Sequence, residues 1–140
     1  MKKELLHNGA FICVLAVLSS IAIMGCTDEK ETRMIPTAAL PAAEGITTAW
    51  TDNVDENVVQ IEAKNLISPD ETKDRVYYIA WAEDGDDVSR LGSLKLEGTT
   101  GRLISTTHLK DFDVIITAED EPYPNKPAAS PILRSAGPVL

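Results

Sequence analysis

The chain has 140 residues, 22 of them acidic against 13 basic, for a formal net charge of −9, and 44% of its residues are hydrophobic. So acidic a chain repels nucleic acid and anionic lipid headgroups, so no nucleic-acid partner is expected. The length allows one domain with a real core but not two.

Met1, Lys2 and Lys3 begin the chain with positive charge, and Ala10 to Met24 is almost wholly apolar. This is the pattern of a secretory n-region and h-region, so residues 1–25 are expected to act as a cleaved signal. About fifteen apolar residues would span roughly 22 Å as a helix, short of the ~30 Å hydrocarbon core, which argues against a permanent transmembrane helix. The junction Ile23-Met24-Gly25-Cys26 resembles the lipobox of bacterial lipoproteins, with Met24 its least typical member. The resemblance implies cleavage between Gly25 and Cys26, lipid on Cys26, and a domain held outside the cytoplasm on the cell membrane or outer membrane. Cys13 would leave with the signal and Cys26 would be consumed in a thioether, so no disulfide is expected within one chain. Loss of Lys2, Lys3 and Glu4 would bring the mature charge to −10. Attachment to a membrane would then come from acyl chains and not from a basic patch.

Residues 26–45 are charged and then rich in alanine and proline, as in Ile35-Pro36-Thr37-Ala38-Ala39-Leu40-Pro41, without a sustained period. They read as a flexible tether, able to reach at most ~60 Å when extended. An ordered first strand around Met34 to Leu40 is the competing reading, weakened by its two prolines.

From residue 46 to residue 140 the pattern is that of strands. A first is expected around Ile46 to Trp50. Val59, Ile61 and Ala63 then alternate with Gln60, Glu62 and Lys64, which places apolar groups on one face of a second. Val76 to Ala82 is apolar on both faces and fits a central strand. Glu83-Asp84-Gly85-Asp86-Asp87 contains Asp-Gly, the signature of a tight hairpin, and Val88 to Glu97 returns. Gly98 to Gly101 reads as a turn, Arg102 to Thr107 as a strand, and Phe112, Val114, Ile116 and Ala118 mark another. Four prolines between Pro122 and Pro131 then precede a short edge-like strand near Ile132 to Ser135. About seven strands, and no convincing helix longer than two turns, predict an all-β fold. The expected form is an immunoglobulin-like antiparallel β-sandwich without the cysteine pair of antibody domains.

Tyr78-Ile79-Ala80-Trp81, Leu91-Gly92-Ser93-Leu94, Gly101 and Val114-Ile115-Ile116-Thr117-Ala118-Glu119, followed by a proline-rich stretch, resemble the C-terminal extracytoplasmic domain of anti-sigma-K factors. The resemblance covers roughly Val76 to Arg134 and implies a β-sandwich outside the cytoplasmic membrane, with sensing or protein binding as its role. It brings no catalytic residue. Those factors also carry a cytoplasmic sigma-binding domain and a transmembrane helix, and here only the signal lies upstream. The double glycine expected after the glutamate strand is replaced by Asp120-Glu121-Pro122-Tyr123.

Chemistry has few footholds. His108 is the only histidine outside the signal, and an exposed, inert imidazole is the expected reading. One histidine without a free cysteine cannot supply a zinc set. Asp84, Asp86 and Asp87 are weak calcium candidates, because Leu91 stands where a calcium loop places its glutamate. Asp52, Asp55 and Glu56 form a second acidic cluster, also read as solvated. Gly98-Thr99-Thr100-Gly101 lacks the lysine of a phosphate-binding loop. Trp50, Tyr77, Tyr78 and Trp81 suit a core better than a binding platform, and Tyr123 suits either. No cofactor is expected. The expectation is a non-enzymatic envelope lipoprotein that binds an envelope partner or serves structurally. A ligand-sensing or solute-binding accessory lipoprotein, with a link to sigma-factor regulation, is the alternative, and a small hydrolase trails both.

Overall fold

A computed structural model describes residues 28–52, 54–68 and 76–140. The signal and the lipobox, including Gly25 and Cys26, lie outside the described residues, as do residues 53 and 69–75.

The described chain is all-β and antiparallel. Its strands are β1 (Lys30–Pro36), β2 (Glu44–Thr51), β3 (Asn57–Lys64), β4 (Tyr77–Asp84), β5 (Asp87–Ser93), β6 (Lys95–Glu97), β7 (Thr100–Thr107), β8 (Asp113–Glu119) and β9 (Pro131–Ser135). They form one sheet in the order β5-β4-β8-β9-β1-β2-β3-β7-β6. The strands number nine where about seven were expected, and one rolled sheet supplies both of the facing layers that the sandwich reading requires.

The roll is nearly closed by a single bent segment. At the β4–β5 pairing Ala80 lies opposite Gly92 but Trp81 opposite Arg90, so Leu91 is the extra residue of a β-bulge. Gly92 takes a φ of 151°, a conformation that a side chain rarely adopts. Leu94 N–H still donates to Tyr78 O at 2.8 Å, and one residue later Lys95 pairs with Arg102 of β7. The chain thus leaves one edge of the sheet and joins the other. Gly101 must be small at this corner, since a Cβ there would lie 2.9 Å from Leu94 Cδ2 and 3.1 Å from Leu94 Cβ.

Alternation fills the interior. Met34, Ala49, Val59, Ile61, Ala63, Tyr78, Ala80, Ala82, Val114, Ile116 and Leu133 turn inward into one core, which the C-terminal Val139 and Phe112 close at one end through Val139 N–H donating to Phe112 O at 2.9 Å. The β4–β5 hairpin has Gly85 and Asp86 at its tip, with Gly85 at φ 59° as the first central residue, the position that a type II′ turn reserves for glycine.

The expected tether is corrected by β1. Lys30 to Met34 pairs with β2, and Met34 to Pro36 pairs with β9, so this strand lies inside the sheet. Thr32 and Met34 are buried while Glu31, Arg33 and Ile35 are exposed, the period-two pattern of a half-buried strand. Pro36 is tolerated because it ends the strand, and the chain then turns through Thr37, whose N–H donates to Ile132 O at 3.0 Å. Among the described residues the folded unit therefore includes β1 from Lys30 and does not start at residue 46.

Candidate functional site

The strands define two ends. At the near end lie the start of β1, the β2–β3 turn, the β4–β5 hairpin, the β7–β8 loop and the C-terminus. The register fixes this grouping: Lys30 pairs with Ala49, Thr51 with Asn57, Asn57 with Thr107, and Glu83 with Asp113. Lys30 Nζ donates to Pro138 O at 2.8 Å and ties the two termini of the domain together. The far end carries the β1–β2 connection, the β6–β7 turn and the loop of residues 120–130.

Carboxylates crowd the near end without forming a ligand set. Asp84 and Asp87 are the cross-strand pair that closes the β4–β5 hairpin, and Glu83 turns away to meet Arg134 Nη1 at 3.0 Å. Lys110 lies 3.6 Å from Asp55, and His108 Nε2, on a side chain 85% exposed, is 3.9 Å from Glu56. Among the described residues no group of three or more His, Cys, Asp or Glu side chains is placed to hold a metal ion. The candidates Asp84, Asp86 and Asp87 are therefore not brought together as a calcium site.

Two concavities flank the β1–β2 connection at the far end. One, of about 540 Å³, runs over the outer face of β1, β2 and β3 and is lined by Arg33, Pro36, Pro41, Glu44, Ile46 and Lys64 among others. In its lining Glu62 accepts from Arg102 Nε at 2.9 Å and faces Lys64 Nζ at 3.4 Å, and these cations hold its carboxyl below the usual range, Arg102 most of all. The other concavity, of about 320 Å³, is apolar and lies between Leu40, Ile67, Tyr78, Ala118, Ala129 and Ile132. At its wall the Tyr78 hydroxyl accepts from Ile67 N–H at 3.0 Å and donates to Ile67 O at 3.1 Å. Burial pushes this phenol above its ordinary value of 10.0, against a smaller opposing effect of the bond to Ile67.

A buried polar chain lies on the outer face of β4 and β8, and sequence patterning did not anticipate it. Ile79, Trp81 and Ile115 form a second apolar cluster, separate from the main core, and Trp81 is wholly inaccessible. Trp81 Nε1–H donates to Thr117 Oγ1 at 2.9 Å, and Thr117 Oγ1–H donates to Glu119 Oε1 at 2.7 Å. The same carboxylate oxygen accepts from Ala128 N–H at 3.1 Å and Ala129 N–H at 3.4 Å. Arg90, opposite Trp81 on β5, donates to Pro122 O at 3.1 Å and sits over the Tyr123 ring at 5.4 Å. The proline-rich loop is thus held from β5 through Arg90 and from β8 through Glu119, the two neighbours of β4 in the sheet. Trp81 is buried in this separate cluster and not in the main core; β4 reads as apolar on both faces because residues of both faces, Tyr78 and Ala80 on one and Ile79 and Trp81 on the other, are buried. Tyr123 remains 79% exposed.

Comparison with family models, with curated protein sequences and with solved structures yields no match.

Proposed function

We propose that this chain is an exported lipoprotein, lipidated on Cys26, whose β-domain is a non-enzymatic binding or structural module of the cell envelope. The observation that carries the reading is the order Lys2-Lys3, apolar Ala10 to Met24, Gly25-Cys26, after which a folded unit starts within a few residues. A hydrolytic role has little to support it: His108 is exposed on a loop, and Glu119, the carboxylate buried in the fold, is occupied in holding a loop. The anti-sigma-K resemblance agrees with an all-β domain and an extracytoplasmic place. The 540 Å³ groove beside Arg33 and Lys64 favours, as a second reading, a sensing or solute-binding accessory role.

The test is Cys26→Ser in a bacterial host that processes the native chain. The expected outcome is loss of acyl incorporation and release of the domain from the membrane fraction, because the acidic described chain offers no basic patch and no long apolar helix as a substitute anchor. Unchanged detergent-phase partitioning would refute the lipid anchor.

A further inference from the structure

The geometry points to an end-on seat on the membrane, with the near end of the β-domain facing the lipid surface and the two concavities held at the far end, clear of it. This inference rests on the reading that Cys26 is acylated and adds an orientation to it. Cys26 is four residues before Lys30, so even a fully extended connection holds the start of β1 within ~14 Å of the lipidated residue. Lys30 is not free to swing away. It pairs with Ala49 across the sheet and its ammonium is bonded to the C-terminal segment at Pro138. The membrane link therefore enters a rigid part of the fold at one defined end.

That end carries its own loops toward the same plane. Val54, 72% exposed, stands at the tip of the β2–β3 turn, and Asp55, Asp84, Asp86, Asp87 and Asp111 lie on the turns around it. The occupant of this face is a zwitterionic lipid surface: the carboxylates oppose an anionic one, and an apolar tip such as Val54 tolerates the headgroup layer. Strands of seven or eight residues put the far-end turns ~20 Å or more higher. Groove residues such as Arg33, Pro41 and Lys64 then stand clear of the bilayer, where an envelope partner can reach them.

The test uses the full chain, expressed with its own signal, purified as the lipidated protein and reconstituted on phosphatidylcholine vesicles. Val54→Cys or Thr99→Cys supplies a fluorophore site at the near or the far end, each on an exposed turn, while lipid occupies Cys26. A short-range quencher on the lipid headgroup is expected to quench the label at position 54 several-fold more than the label at position 99. Equal or reversed quenching on protein that floats with the vesicles would overturn the end-on seat and leave the anchor standing. Failure of both variants to float would overturn the anchor, and the orientation with it.

Discussion

Trp81 carries two separable interactions, an apolar indole packed with Ile79 and Ile115 and an N–H donated to Thr117. Trp81→Ala removes both and should cost ~3–5 kcal/mol, a large part of the ~5–15 kcal/mol that a domain of this kind holds. Trp81→Phe keeps an aromatic ring and loses the donor, so a smaller cost of about 1–2 kcal/mol is expected. Urea denaturation of these variants with Thr117→Val in a double-mutant cycle isolates the hydrogen bond. A coupling of about 0.5–1.5 kcal/mol is expected, and no coupling would mean that the indole acts by packing alone. The sequence reading of Trp81 as a core residue and not a binding platform agrees with its burial, although in a cluster apart from the main core. It does not supply the polar chain beyond Thr117, because nothing in Pro122 to Pro131 announces that Glu119 will bind the backbone of Ala128 and Ala129, nine and ten residues on.

At the scale of elements, the loop of residues 120–130 is ordered by a few polar contacts rather than by a strand or helix of its own. Glu119→Ala should free it: Ala128 and Ala129 lose their acceptor, and Thr117 loses its own. The expected result is faster amide exchange at both alanines and a red-shifted Trp81 emission, read in a Trp50→Phe background. Glu119→Gln, which keeps a carbonyl oxygen, should largely restore protection. If Glu119→Ala leaves exchange unchanged, the loop is held by Arg90 and packing. The central and hairpin elements were legible because they obey strong local rules: Val59, Ile61 and Ala63 alternate, and Gly85 supplies the turn between β4 and β5. β1 was not. Its inward residues are only Thr32 and Met34, its tail is proline and alanine, and its identity as a strand is set by partners far away in sequence, β2 on one side and β9 on the other. The closure at Leu91 to Lys95 was equally hidden, since a strand that changes edges reads locally as one continuous strand.

At the scale of the whole molecule, β1 decides where the domain starts. A fragment of residues 46–140 would keep every strand that alternation identifies, but it would lose the element that joins β9 to β2 and so holds the two halves of the rolled sheet together. Deleting β1 exposes the paired edges of both neighbours, uncovers Ala49 and Leu133, and removes Met34, whose burial alone contributes roughly 1.5–3 kcal/mol. Ala136 N–H also loses its acceptor, Arg33 O, at 2.9 Å. The summed loss approaches the whole ~5–15 kcal/mol stability of a domain this size, and two open edges invite pairing with other chains. Residues 28–140 are therefore expected to give a soluble monomer with a cooperative urea transition and a β-type circular-dichroism spectrum. Residues 46–140 are expected to aggregate or to lack a cooperative transition at 25 °C. If the shorter fragment instead unfolds with the same midpoint as the longer one, β1 contributes nothing to the fold, and the link from Cys26 is long and flexible after all.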